Sequence, residues 1–311
     1  MTQAQVLPRR RSGLFKNPVV LKELRGRMRG ARAFAVLAVY LLLMVGFALL
    51  LYVLSTASQD VFGFTSGGQI GRTLFTGIVG IQLFLVTFIA PAFTASAISG
   101  ERERQTYDLL KTTLLPARTL VIGKLFSALA YVFLLLIAAI PLQSIAFLFG
   151  GITEVEVILA FVILAVTAIT LGATGLYFSA TQARTLSANI TTYGVTLFIT
   201  VGLPMLIFIA IALFTSLLGA RQADIAAEVQ VVLLYGLLAL SATNPLVAAF
   251  LTQYWLLNKQ SATFFYETVT STMGIIQVPL ISPWIVFCVV YLLIALVLVV
   301  RTIGRVRRIE S

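Results

Sequence analysis

The chain has 311 residues, of which 59% are apolar and only 11% charged; its mean hydropathy is +1.02 and its net charge +11. A water-soluble domain carries about 25% charged residues, and a chain this apolar would expose far too much hydrocarbon surface to water. The sequence has no histidine and only one cysteine, Cys288, which excludes internal disulfides, zinc sites and Cys–His nucleophiles. Composition therefore indicates an all-α membrane protein rather than a soluble domain.

Six apolar segments are each long enough to form a transmembrane helix. A helix rises 1.5 Å per residue, so about 20 apolar residues cross a hydrocarbon core of about 30 Å. The predicted spans are residues 34–54, 73–98, 124–149, 157–179, 188–218 and 281–300. Lys124 lies at the end of the third span, where we expect its stem to reach the membrane interface.

A further apolar stretch, residues 229–257, is interrupted by Asn244 and Pro245. Asn-Pro is a turn signal, and proline disfavours helical geometry in the residue before it. Each half of the stretch is too short to span the membrane alone. We interpret it as a re-entrant or interfacial hairpin on the extracytoplasmic side, before the last span. A proline-kinked seventh span is the alternative.

The distribution of basic residues favours six spans with both termini in the cytoplasm. Nineteen of the 22 Lys and Arg residues then fall on one side of the membrane, whereas Arg72, Arg221 and Lys259 fall on the other. Basic residues are enriched on the cytoplasmic side, and a seventh span would move the basic tail, residues 301–311, to the opposite side. The predicted location is the inner (cytoplasmic) membrane, with the six spans in residues 34–300.

The basic N-terminal segment, residues 1–33, ends in a predicted amphipathic helix. Pro18 suits the first turn of a helix, and Leu21, Leu24 and Met28 follow at helical spacing with basic residues between them. This pattern predicts a helix lying in the cytoplasmic interface, held partly by anionic lipids. The alternative is a solvated basic flank that only sets the topology.

The loop between the second and third spans carries a short charged helix, predicted over residues 101–113. Two carboxylates near its start favour the helix dipole, and apolar side chains gather on one side, as a docking surface requires. The residues with this predicted docking role are Glu101, Arg102, Glu103, Arg104, Thr106, Leu109 and Leu110. A solvated charged loop without a partner is the alternative. Both ends of the loop run into spans, so a push on it would move them.

The run GERERQTYDLL, followed by two threonines, a proline-containing turn and Gly-Lys, resembles the ABC-2 family of ABC transporter permeases. In that family Glu-x-Glu-x-x-Thr-x-x-Leu-Leu opens the loop between spans two and three and forms the coupling helix that fits a groove on the ATPase subunit. The matching residues are Glu101, Glu103, Thr106, Leu109, Leu110, Gly123 and Lys124. The family often has glycine before the threonine, where this chain has Gln105. Many members have proline nearer position 114, where this chain has Leu114 and then Pro116.

The resemblance implies the permease subunit of an ATP-driven exporter. The sequence has no GxxxxGK[ST] phosphate-binding loop, so this chain is not expected to be an enzyme or to hold a cofactor. ATP and Mg²⁺ would be bound by a separate ABC ATPase present in two copies, with a second permease chain completing a homo- or heterodimer. Membrane lipids are the other expected partners, and nucleic acid is not expected.

Polar residues inside the predicted spans are the candidate lining of a translocation path, because such residues usually face the protein interior or a cavity. The candidates, in spans two and five, are Gln82, Thr87, Thr94, Asn189, Thr192 and Thr196. Ordinary packing through hydroxyl side chains is the alternative. The absence of a charged residue in the middle of any span disfavours a secondary transporter or channel, and favours an amphipathic or lipid-like substrate. A membrane anchor or assembly factor that docks an ATPase without transport is a further alternative.

Overall fold

The computed structural model describes residues 23, 26, 31–57, 67–106, 116–206, 208–209, 212–213, 227–259, 261–271 and 274–310. These residues are almost all helical. Six of their helical segments are long and apolar enough to cross a membrane, as predicted. The segments are Ala33–Ala57, Gly67–Glu103, Ala117–Leu148, Glu154–Thr181, Thr185–Leu206 and Pro283–Arg308.

Ten helices and two strands follow one another in the described residues. The first five helices are α1 (Ala31–Ala57), α2 (Gly67–Thr94), α3 (Ser99–Glu103), α4 (Ala117–Ala138) and α5 (Ile140–Leu148). The remaining elements are α6 (Glu154–Thr181), α7 (Thr185–Leu197), α8 (Ala227–Ser241), α9 (Pro245–Lys259), β1 (Phe264–Ser271), β2 (Gly274–Ile281) and α10 (Pro283–Glu310). The predicted third span is divided between α4 and α5, with a proline in the first turn of α5.

Helix α6 lies at the centre of the bundle. Of the six candidate spans, the one formed by α6 is the most buried and the one formed by α1 is the least buried. Helix α6 packs against α2, α4, α7, α9 and α10. It approaches α2 closely at Gly175. A Cβ atom there would collide with the hydroxyl of Thr94 and would lie 3.1 Å from the backbone nitrogen of Ala95. Glycine thus lets the two backbones meet, as small residues do at helix interfaces in membranes.

The stretch that the sequence left ambiguous is divided at Asn244, as its Asn-Pro signal predicted. Helices α8 and α9 have 15 residues each, so each is about 22 Å long and shorter than a hydrocarbon core. The Asn244 side chain caps α9 by accepting hydrogen bonds from the backbone N–H groups of Leu246 and Val247. Its amide nitrogen donates to the carbonyls of Ile199 and Thr200, which lie in a π-helical turn after α7.

The antiparallel hairpin of β1 and β2 has no counterpart among the elements expected from the sequence. Phe265 pairs with Leu280, and both are buried with Leu238 of α8, whereas the neighbouring Phe264 and Tyr266 are exposed. This alternation is that of a strand pair with one covered face. The indole of Trp284 donates to the carbonyl of Ala262, which joins the hairpin to the start of α10.

The contact at Gly175 gives a test of the packing between α2 and α6. We expect Gly175→Ala to lower the thermal unfolding midpoint of the detergent-purified chain, since overpacking costs about 1–3 kcal/mol. Gly194→Ala, in α7, is the matched control: a Cβ there meets nothing within 4 Å, and removing a helical glycine favours the helix. Equal midpoints for the two variants would contradict the close approach.

Candidate functional site

The chain bends where α2 leads into the charged motif between spans two and three. We call this bend, residues 95–106, the elbow. Its helix α3 follows α2 after a turn, and Ser179 of α6 fixes that turn. The Ser179 hydroxyl oxygen accepts hydrogen bonds from the backbone nitrogens of Ile98 at 2.9 Å and Ser99 at 3.0 Å. All three residues are buried, so the elbow starts as a fixed part of the bundle.

Helix α3 is shorter than the predicted helix over residues 101–113. It ends at Glu103, and Gln105 has a φ of 57°, the left-handed conformation that commonly ends a helix. The backbone nitrogen of Thr106 donates to the carbonyl of Glu101 at 3.0 Å, which closes the turn. The expectation of an uninterrupted helix is therefore wrong at residues 104–106. Leu109 and Leu110 lie outside the described residues.

The Lys124 side chain is buried, at 2% exposure, rather than extended along the outside of the bundle as its position at a span end suggested. Its ammonium donates to three oxygens: Glu101 Oε1 at 2.7 Å, Glu23 Oε1 at 2.8 Å and the Ala97 carbonyl at 2.9 Å. An ammonium has three donors, so each of them has a partner. The reason for the difference is that two carboxylates come close enough to hold the charge inside the bundle.

Glu23 is a residue of this site that sequence reasoning missed. Its second oxygen, Oε2, accepts a hydrogen bond from the Ser127 hydroxyl at 2.6 Å. Glu23 is the sole acidic residue among residues 1–33, and that isolated charge in a basic segment was the available signal. The predicted interface residues beside it, Leu21, Leu24 and Met28, lie outside the described residues.

Arg102 and Glu103 bind the two helix ends that meet at the α6–α7 connection. Arg102 donates to the carbonyl of Ala180 at 3.0 Å and to that of Gln182 at 3.4 Å, at the C-terminal end of α6. Glu103 accepts from the backbone nitrogen of Thr185 at 2.8 Å and from its hydroxyl at 2.7 Å, at the N-terminus of α7. Each charge has the sign that the dipole of the helix it meets favours.

Glu103 is an exposed residue, although its carboxylate accepts both hydrogen bonds from Thr185. Arg104, the next residue, is exposed. The elbow thus turns Glu101 and Arg102 towards the bundle and leaves Arg104 on its outer surface.

The predicted path residues are mostly buried among the helices of the chain. Gln82 accepts a hydrogen bond from the Gln143 amide at 2.6 Å. Thr87, Thr94 and Thr192 donate to carbonyls of their own helices, Thr196 is buried, and Asn189 is partly buried. Hydrogen bonds from threonine hydroxyls to carbonyls of the same helix are typical of ordinary helix packing, which is the alternative to lining a translocation path. A path formed with a second chain stays a prediction.

A second polar cluster, which sequence reasoning missed, lies at the opposite end of α6. Glu156 is buried, its Oε1 lies 3.5 Å from Arg72 of α2, and its Oε2 accepts from the Gln253 amide at 2.7 Å. It borders a cavity of about 240 Å³ between α2, α6 and α9 whose walls are otherwise mainly apolar, including Phe75 and Ile163. The signal was the pair of acidic residues at the start of the fourth span.

Neither cluster is a metal centre by composition. Within the described ranges, no group of three or more His, Cys, Asp and Glu side chains is placed to hold a metal ion. No protein-family model matches the chain, and no curated protein matches it.

The buried ammonium gives the test of this site. We expect Lys124→Met to destabilise the chain by about 3–5 kcal/mol, because it leaves the Glu23 and Glu101 carboxylates without their cation. Arg118→Met is the control, since Arg118 is an exposed cation one and a half turns earlier in the same helix. The measurement is the thermal unfolding midpoint in detergent.

A further variant, which also removes the carboxylate charges, tests whether the lost stability comes from unpaired carboxylates or from the loss of the lysine side chain itself. Lys124→Met combined with Glu23→Gln and Glu101→Gln should recover part of the lost stability, because fewer uncompensated charges stay buried. If Lys124→Met behaves like Arg118→Met, the three-oxygen coordination of the ammonium is wrong.

Proposed function

We propose that this chain is the membrane-spanning subunit of an ATP-driven exporter, in which the elbow receives the motion of a separate ATPase subunit. The observation that carries the proposal is the set of charged contacts around the elbow. Glu101 binds Lys124, Arg102 binds the end of α6, and Glu103 binds the start of α7. A force on this short segment would reach three helices without passing through a flexible connection.

The charged motif supports the same proposal through its resemblance to the ABC-2 permeases. Gln105, at the position where that family often has glycine, has a left-handed φ of 57°, which is the conformation that glycine adopts without steric cost. The segment that resembles the rest of the coupling helix, with Leu109 and Leu110, would complete the docking surface beyond this turn.

In the proposed assembly, two ATPase subunits bind ATP and Mg²⁺ and two membrane chains form the path. Both termini and the elbow face the cytoplasm, following the basic asymmetry. Helices α8 and α9 and the β-hairpin form the extracytoplasmic region before the last span. Their lengths support this proposal, since neither helix is long enough to span alone.

An amphipathic or lipid-like substrate is the proposed cargo. The cavity beside Glu156 supports this choice, because apolar walls suit a hydrocarbon group and the carboxylate and amide at its edge suit a polar one. The alternatives, an anchor that docks an ATPase without transport and a secondary transporter or channel, predict different behaviour. An anchor keeps the ATPase bound without moving substrate, and a secondary transporter works without any ATPase.

Co-purification tests the docking surface. We expect Leu109→Asp and Arg104→Glu each to weaken recovery of an ATPase with the tagged chain from its native membrane in mild detergent. Loss of an interface anchor costs about 2 kcal/mol, or roughly thirtyfold in affinity. Both substitutions leave the contacts of Arg102 and Glu103 with α6 and α7 unchanged, so the elbow keeps its internal supports.

The control for co-purification is Arg307→Glu, which reverses an exposed charge near the other end of the chain. It should leave ATPase recovery unchanged. If all three variants retain the ATPase and its hydrolysis rate, the elbow is not the docking surface. If no ATPase is recovered with the unmodified chain, the exporter proposal itself fails.

The stoichiometry is tested by the mass of the intact complex. Native mass spectrometry of the detergent-extracted complex should give two membrane chains and two ATPase chains, because two-fold interfaces are the commonest closed assembly. A complex with one membrane chain for each pair of ATPase chains would exclude the dimer.

A further inference from the structure

The elbow end of the bundle carries a basic cavity that the proposed function does not use. It lies between the last turn of α6 and the C-terminal part of α10 and has a volume of about 380 Å³. Its lining consists of Tyr177, Thr181, Arg301, Gly304, Arg305 and Arg308. Three arginines and two hydroxyl-bearing residues thus line one space.

The arginines form a row along one face of α10. Their positions, 301, 305 and 308, recur at intervals of four and three residues, which places them above one another on the helix. The row is about 10 Å long at 1.5 Å per residue. Guanidinium groups bind phosphate oxygens through paired hydrogen bonds, and the Tyr177 hydroxyl is a further candidate donor on the facing helix, whereas the Thr181 hydroxyl already donates to the carbonyl of Phe178.

Gly304 keeps the middle of this row open. A Cβ atom built at Gly304 would meet nothing within 4 Å, so the space beside the helix is not filled by the rest of the chain. A larger residue here would occupy the cavity without displacing a neighbour. Gly304 can therefore be replaced by a larger residue that fills part of this space without altering any charge.

The same face of α10 continues into the apolar span as an exposed hydrocarbon stripe. Leu293 and Val297 precede Arg301 at intervals of four residues, and their exposures are 56% and 50%. Val300, at 59% exposure, precedes Gly304 by the same interval. A ligand that binds along this face would place an anionic group among the arginines and hydrocarbon against the stripe.

We infer that this cavity is a binding site for the headgroup of an anionic phospholipid in the leaflet at the elbow end. A soluble anion such as inorganic phosphate would use the arginines but not the stripe, whereas a phospholipid uses both. Basic pockets between transmembrane helices on the cytoplasmic side bind anionic headgroups in this manner. Arg301 is the first charged residue after the apolar part of α10, so we expect it where the helix leaves the hydrocarbon core, next to the phosphate layer.

The experiment measures lipid affinity on the purified full-length chain in a neutral detergent. The probes are dioleoylphosphatidylglycerol, dioleoylphosphatidylcholine and sodium phosphate, each added in a titration followed by thermal unfolding. We expect phosphatidylglycerol to raise the unfolding midpoint in a saturable way. Phosphatidylcholine and inorganic phosphate should have little effect.

Two variants of the cavity test its positive charge and its open volume separately. Arg301→Gln with Arg305→Gln should weaken phosphatidylglycerol binding roughly thirtyfold, from about 1 kcal/mol per arginine. Gly304→Leu should weaken it as well, although the chain keeps all its charges. The matched control is Arg307→Gln with Arg118→Gln, which removes two exposed cations that do not line the cavity and should leave the affinity within about twofold.

Each other result overturns the inference. Equal responses to phosphatidylglycerol and phosphatidylcholine would exclude headgroup recognition. Equal losses in the pocket and control double variants would mean that general surface charge attracts the lipid. Stabilisation by sodium phosphate that Gly304→Leu abolishes would assign the cavity to a soluble anion instead.

Discussion

The arrangement of the elbow depends on one buried charge, the ammonium of Lys124. Taking an ammonium out of water costs several kcal/mol, and the cost is offset only when every donor has an oxygen partner in good geometry. The three partners come from separate parts of the chain: Glu23 before the first span, Ala97 in the turn after α2, and Glu101 in α3. Displacing any one of them leaves a buried donor unpaired.

The helical geometry of α3 directs three consecutive charged side chains to three different parts of the bundle. Successive residues on a helix point about 100° apart, so Glu101, Arg102 and Glu103 face three different directions. They meet Lys124, the end of α6 and the start of α7 respectively. The alternation of acidic and basic residues is therefore not a uniformly solvated run. Each sign matches the charge or the helix end that it faces.

Much of the architecture could be predicted from the sequence, because a membrane imposes a minimum length on apolar segments. The six candidate spans and the break at Asn244 followed from this constraint and from proline geometry. The burial of Lys124 could not be predicted, since its partners lie 101 and 23 residues away and sequence patterns carry no distances of that kind. The β-hairpin was missed for a related reason: its one-sided burial depends on α8 covering Phe265 and Leu280.

The two polar clusters of the bundle are joined by the same pair of helices. Helix α6 begins at the Glu156 cluster and ends at the contacts of Arg102, and α2 begins near Arg72 and ends at the elbow. Near the elbow the two helices approach each other closely at Gly175, where a Cβ atom would collide with the Thr94 hydroxyl. Towards Glu156 a cavity lies between α2, α6 and α9.

A force applied at the elbow would therefore act on α2 and α6 near the Gly175 contact, at the opposite end of the two helices from the cavity. Under the proposed function, this geometry links the docking of an ATPase at one end to the shape of an apolar cavity at the other. The connection needs no charged residue in the middle of the spans, where such a residue would be costly.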